Sequence, residues 1–306
     1  MKFTIYQESR PGRRPLNEDR VAYSYSRDAL LMVVADGMGG HLRGEVAAQI
    51  AVQFITEAFQ REAKPGLRDP FRFLSGVIAD AHRAILGYAV DHALSETPCT
   101  TCVACIVQDA TAYWAHAGDS RLYLLRRGRI RAQTRDHSRV ARMVEDGLIT
   151  AEDARWHIAR NRIFSCLGGA GTPQIDLSEK TPLLAGDTIV LCSDGLWGPL
   201  DDAMIARAMS SGNVMQAVPA LMNQADVRGG ENADNLSLIA IRWESSHTED
   251  ASGGVSTEIM PLDHFTTQIE GFSRVQESAQ QELNLSDDDI ERAIQEINSA
   301  IRKYSK

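Results

Sequence analysis

The sequence predicts an α+β fold in which helices cover antiparallel sheets, and three observations predict it. Short runs rich in β-branched and aromatic residues end in Gly, Asp or Asn. Some of them stand only a few residues apart, which suits hairpins and leaves no room for helical crossovers. Two longer segments, 43–60 and 69–93, carry apolar residues three and four apart and read as consecutive helices. In chain order the strands are LLMVVAD (30–36), then, after both helices, TCVACIV (101–107), AYWAHAG (112–118) and RLYLLRRG (121–128). DTIVLCSD (187–194) and NLSLIAIRW (235–243) complete the set.

The 306 residues, 43% of them hydrophobic, suffice for one core of ~250 residues and an appendage. No uninterrupted apolar run reaches membrane-spanning length, and MKFTIYQESRPGRR lacks the apolar region of a signal peptide. Five cysteines, an odd number, argue against a disulfide framework and fit a reducing compartment, so a cytoplasmic location is expected. The net charge of -9 gives no basic footprint and argues against nucleic acid as a partner.

The composition changes near Ser245. A Ser/Thr/Gly/acid stretch, 244–262, reads as a flexible linker, followed by a helical tail over 263–306. Ser286 and the three aspartates after it suit a helix start, and Arg302 and Lys303 suit its last turn. Ile290, Ile294, Ile297 and Ile301 form a stripe at helical spacing, and Phe265, Ile269 and Phe272 suggest an earlier helix. These faces either pack on the core and each other or bind a partner.

Four acidic clusters stand where predicted strands end or begin: Asn17-Glu18-Asp19, Asp36-Gly37, Ser193-Asp194-Gly195 and Asp234-Asn235. One Asp-Gly after a strand is an ordinary turn. Four at neighbouring strand ends would converge and repel unless cations or protons neutralise them. Oxygen-only donors select Mg²⁺ or Mn²⁺ over zinc. Two such ions ~4 Å apart could generate a hydroxide and hold a phosphoryl group for attack. Phosphate-ester hydrolysis is the chemistry this implies, and spacing alone does not separate a phosphatase from a nuclease.

The motifs RRPLNED (13–19), VVADGMGGH (33–41), HAGDSRLYLLRRG (116–128), DHS (136–138), LCSDGLWG (191–198) and ADNLSLI (233–239) occur in the order found in type 2C, or PPM, metal-dependent protein phosphatases. The chain resembles the compact bacterial form of that family over residues 1–243. The resemblance implies a four-layer α-β-β-α sandwich and hydrolysis of phosphoserine and phosphothreonine by a hydroxide bridging two Mn²⁺ or Mg²⁺ ions. It also implies phosphorylated proteins, and a cognate Ser/Thr kinase, as partners. Carried over by position, Asp36 bridges the ions, Gly37 lends its carbonyl, and Glu18, Asp194 and Asp234 complete the ligands. Asp19 orients waters, Arg14 grips substrate phosphate, and Asp119 with Asp194 binds a third ion. The alternative for Asp119 is a turn aspartate paired with Arg121.

Where some members carry a general-acid histidine directly after the Asp-Gly, this chain has Met38. His41 is the nearest candidate for that role, or else a loop residue. Cys99, Cys102 and Cys105 are spaced as a CxxCxxC run, but residues three apart on a strand face opposite ways, and they read as buried strand cysteines. The segment 138–169 matches the family's flap. Its arginines, Arg139, Arg142, Arg155, Arg160 and Arg162, form either a solvated face or a docking surface for acidic segments.

Overall fold

The computed structural model describes residues 1–38, 43–245, 256–259 and 266–267. The chain opens with β1 (Lys2–Arg10), β2 (Asp19–Tyr25) and β3 (Ala29–Met38), then the helices α1 (Gly44–Glu62) and α2 (Pro70–Asp91). There follow β4 (Cys99–Thr100), β5 (Cys102–Gln108), β6 (Thr111–Ala117), β7 (Arg121–Arg126) and β8 (Arg129–Gln133). Two short helices, α3 (Arg139–Glu145) and α4 (Ala151–Trp156), lie in the predicted flap. The short strands β9 (Asp176–Leu177) and β10 (Thr181–Pro182) lead to β11 (Thr188–Cys192). Last come α5 (Asp194–Trp197), α6 (Asp202–Ala208), α7 (Val214–Gly229), β12 (Leu236–Ser245), β13 (Ser256–Ile259) and β14 (Thr266–Thr267).

The two predicted helices form where expected. Asp69 caps α2, its side chain accepting from the Arg72 N–H, and Pro70 occupies the first turn, where its missing donor is harmless. One sheet runs β14-β1-β12-β11-β7-β8 and the other β10-β6-β5-β3-β2-β13, with β4 beside β3 and β9 beside β6, and every pairing is antiparallel.

Strand periodicity sorts the core into three layers. On β3, Leu31, Val33 and Ala35 face α1 and α2, while Leu30, Met32 and Val34 enter the space between the sheets. Ile189 and Leu191 of β11 meet them there, and Val190 and Cys192 face α7. The result is the expected four-layer α-β-β-α sandwich. A strand covered on both faces reads as an unbroken apolar run, which is why 30–36 stood out.

The structure adds β1, β2 and β8 to the strands expected. β1 carries Gln7, Glu8 and Ser9, all buried, and polar residues at buried positions hide a strand from pattern reading. Cys102 faces the helices, Cys105 faces the inter-sheet core, and Cys99 sits on a separate strand, so the CxxCxxC run gathers no cluster. Asp194 begins α5 instead of ending a strand. Inside the stretch read as linker and tail, β13 pairs with β2 and β14 with β1, in keeping with edge strands that accept further extended chain. Ser286, the isoleucine stripe and the rest of the tail lie outside the described residues. Among the described residues no helix is long and apolar enough to cross a membrane.

Backbone approach is tightest beside the acidic motifs. A Cβ on Gly195 would stand 2.0 Å from the Asn235 carbonyl oxygen, and one on Gly37 would stand 2.4 Å from that of Gly44. Neither backbone can swing aside as a side chain can. Gly76, in mid-α2, has nothing within 4 Å of the corresponding position. Gly195→Ala should therefore lower unfolding free energy in urea by about 2–4 kcal/mol. Gly76→Ala should raise it by about 0.5–1 kcal/mol through helix propensity alone.

Candidate active site

The site lies where one end of the inter-sheet seam gathers strand ends from both sheets. Asp19 and Asp36 are direct partners in the β2–β3 register, an arrangement in which like charges oppose each other. Asp19 is buried, and its Oδ2 accepts the Ser193 hydroxyl at 2.7 Å, a bond that joins the two sheets. Ser193 Oγ in turn accepts the Ser237 N–H at 3.0 Å, and Ser237 and Ser9 share a hydroxyl bond of 2.7 Å. Asp19 Oδ1 is buried without a hydrogen-bond partner.

Thr100 and Thr101 fix the backbone of Asp36. Its carbonyl accepts from the Thr101 N–H at 2.8 Å and the Thr100 hydroxyl at 2.9 Å, and its N–H donates to Thr101 Oγ1 at 3.1 Å. Thr101 Oγ1 also shares a 2.6 Å bond with Ser120, beside Asp119. The Gly37 N–H donates to the Glu18 carbonyl at 3.2 Å.

Asn235 holds the loop that carries Arg14 and Glu18. Its Oδ1 accepts the Glu18 N–H at 2.8 Å, and its Nδ2 donates to the carbonyls of Pro11 and Leu16, both at 2.9 Å. Gly12, at φ +62°, lets this loop lie against Asp234, where a Cβ would stand 2.1 Å from the Asp234 carbonyl oxygen. Arg14 grips Asp234 with two bonds, Nε to Oδ1 at 2.8 Å and Nη2 to Oδ2 at 2.7 Å. Arg20, buried, bonds the carbonyls of Asn17 and Asp19 and the side chain of Gln49. Its charge stands behind the acids. Arg121, which the alternative reading of Asp119 would pair with it, instead pairs with Asp136 at 2.8 Å and stacks its guanidinium over Trp197.

These contacts bring Asp19, Asp36, Asp119, Asp194 and Asp234 within electrostatic reach of one another, with Glu18 beside Asp234 and Arg14. Burial first, then the neighbouring acids, pushes Asp36 and Asp194 well above the usual carboxylate range. Burial raises Asp19 to about 6, and burial with Asp136 raises Asp119 to about 7. Glu18 is raised by burial and by Glu45 in the first turn of α1. His41 lies outside the described residues, and Met38 closes β3.

Sequence reasoning missed Asn235, Ser193, Ser237, Arg20 and Glu45. The only signal for them is adjacency to acidic motifs. A groove of about 650 Å³ lies elsewhere, between α1 and α2, and contains none of these residues.

An oxygen-only donor set with an orphaned buried carboxylate oxygen fits hard divalent cations. Sandwich and site together are those of a metal-dependent phosphoprotein phosphatase. A family profile described as Protein phosphatase 2C matches residues 8–229. The serine/threonine phosphatase stp of Listeria innocua is 31% identical over 228 residues, 74% of this chain and 89% of that one. Among solved structures, the serine/threonine phosphatase Stp1 from Staphylococcus aureus superposes with a TM-score of 0.73 at 29% identity, over 80% of this chain and 96% of that one. The catalytic domain of PstP in complex with 2 manganese ions gives 0.67 at 30% identity, over 79% and 99%. This chain belongs to the protein phosphatase 2C family, as a serine/threonine phosphatase of its bacterial PPM branch.

Raised carboxyl pKa values set the sign of the stability profile. The folded chain holds protons on Asp19 and Asp119 that the unfolded chain has released above about pH 4. In chelator, stability should therefore fall as pH rises from about 4 to about 7, and divalent cation should abolish that fall by replacing the protons. Thermal melts in EDTA and in Mn²⁺ across this window test it; a melting temperature that rises with pH in EDTA contradicts it.

Proposed function

We propose that this chain hydrolyses phosphoserine and phosphothreonine in proteins, with two Mn²⁺ or Mg²⁺ ions held by Asp36, the Gly37 carbonyl, Glu18, Asp194 and Asp234. Asp36 is the bridging ligand, and Asp119 with Asp194 holds a third ion. The observation that carries this reading is the convergence of five aspartates around one point, an excess of negative charge over the arginines beside them, Arg20 behind the acids, Arg14 on Asp234 and Arg121 within electrostatic reach of Asp119. When bound, the ions supply the nucleophilic hydroxide and neutralise the phosphoryl oxygens.

The chain's own residues do the positioning. Asp19, anchored by Ser193 through Oδ2, keeps Oδ1 free of protein partners and available to orient water. Asn235 sets the height of the Arg14 loop. Arg14 binds two phosphate oxygens with its planar fork and stabilises charge as it spreads in the transition state. Both jobs require the Arg14–Asp234 pair to open. Its side chains are 57% and 32% exposed, and exposed pairs contribute only about 0–1 kcal/mol, so cation and phosphate separate them readily. His41 is the proposed general acid.

The catalytic unit on this reading is residues 1–243, with 138–169 as flap and the tail as a recruiting segment. Its counterpart is a Ser/Thr kinase whose phosphorylated products, and whose own phosphorylated residues, are the substrates. The cytoplasm is the compartment that fits such a pair.

Mn²⁺-dependent hydrolysis of p-nitrophenyl phosphate and of a phosphothreonine peptide tests the proposal. Asp194→Asn should lower kcat by about 100-fold or more, as expected for loss of a stabilising charge in the reacting centre. Arg14→Ala should lower kcat/KM by about 10- to 100-fold, corresponding to about 1.5–3 kcal/mol for a charged hydrogen bond, with Arg14→Lys restoring little of it. A wild-type chain inert with every divalent ion overturns the reading.

A further inference from the structure

A second group of ligating side chains lies beside the acid cluster and shares no residue with it. His116, on β6, and Asp176, on β9, are partners in the strand register, and His137 stands on the loop that leads into α3. One ligand atom from each of the three lies within 4.8 Å of the other two. Both histidines are buried, with rings stacked at 4.6 Å between centroids.

The hydrogen bonds around them single out the free atoms. His116 Nε2 donates to the Arg135 carbonyl at 2.6 Å, which leaves a lone pair on its buried Nδ1, and that nitrogen has no partner. His137 Nε2 lies 3.2 Å from Asp176 Oδ2 without hydrogen-bond geometry, while Asp176 Oδ1 is held by Gln174 at 2.9 Å. Burial lowers the His116 pKa and keeps its ring neutral. An unsatisfied buried nitrogen costs about 1–3 kcal/mol, which a merely structural histidine would avoid.

We propose that His116 Nδ1, His137 Nε2 and Asp176 Oδ2 form a separate metal centre for Zn²⁺ or a similar borderline divalent ion, completed by water. Two imidazoles and one carboxylate are the donor set of a zinc site and are wrong for Mg²⁺. The outer contacts of His116 and Asp176 also fit, since a ligating histidine donates its other N–H to a carbonyl and a ligating carboxylate is itself hydrogen-bonded. Zinc bonds of about 2.0–2.1 Å place tetrahedral donors about 3.3 Å apart, so the group must contract modestly by side-chain rotation. Asp176, with 41% of its side chain exposed, is the open side through which ion and water arrive.

Loading has a geometric consequence. A neutral ring ligating through Nε2 carries its hydrogen on Nδ1, whereas His137 Nδ1 now faces the Gly118 N–H at 3.2 Å. Binding releases that contact, next to Asp119. His137 and Asp176 also bracket the flap segment 138–169 in the chain, so the ion ties both of its roots to β6.

Cobalt titration of the full chain decides the matter. Co²⁺ on nitrogen donors in a four-coordinate site gives intense visible bands, whereas a six-coordinate all-oxygen centre gives weak ones. Wild type should show the intense bands, and equimolar Zn²⁺ should remove them. His116→Gln and Asp176→Asn should each weaken the affinity by about tenfold or more, keeping Mn²⁺-dependent hydrolysis of p-nitrophenyl phosphate within about twofold of wild type. Zn²⁺ should also slow tryptic cleavage at the flap arginines of wild type and not of the variants. A wild-type spectrum with weak bands only, or intense bands that persist when His116→Gln and Asp176→Asn are combined, overturns the proposal. Failure of hydrolysis in wild type would count against the phosphatase reading alone and leaves the cobalt result standing.

Discussion

Mutual repulsion among carboxylates is the constraint around which this molecule is arranged. Asp19 faces Asp36 across one strand pair, Asp194 arrives at the start of α5, and Asp119 and Asp234 come from connections beside other strands, so the folded chain gathers charges that separate freely when it unfolds. Hydrophobic burial in three layers holds the strands to that arrangement. Local neutral contacts then aim the acids. Thr100 and Thr101 hold Asp36 by its backbone, which leaves its carboxylate uncommitted.

The same economy recurs in the second acid layer. Ser193 satisfies one oxygen of Asp19 and leaves the other bare, and Asn235 uses all three of its side-chain hydrogen bonds on backbone atoms of a single loop. Rigid neutral donors suit a site that must accept cations, because a charged neighbour such as lysine would compete with them. Among the described residues Arg14 is the charged group that pairs with one of these acids at the surface, and its exposed side chain leaves room for its displacement.

The layer order and the acids themselves were legible in the sequence, because apolar runs and strand-end aspartates are short-range signals. β1 was not, since Gln7, Glu8 and Ser9 look like surface residues and are buried only because β12 lies alongside. The choice between the two readings of Asp119 was open for a related reason: Arg121 is only two residues away, but its guanidinium reaches Asp136 on the neighbouring connection. Asn235, Ser193 and Ser237 bond to Glu18, Asp19 and Ser9 across gaps of more than a hundred residues, and no local pattern marks such a role. His116 and His137 stood in recognisable motifs, yet only the pairing of β6 with β9 supplies Asp176.

The pairing of β1 with β12 joins the first strand of the chain to one delivered more than two hundred residues later, with Lys2 opposite Ser245. Ribosomes deliver these two strands at opposite ends of synthesis, and domains of this size are made over many seconds. Until Asn235 has left the exit tunnel, the loop bearing Arg14 and Glu18 has no anchor, and half of the acid cluster has no opposite half. The acid cluster is therefore a property of the finished chain: its two halves meet only after residues 217 positions apart have paired.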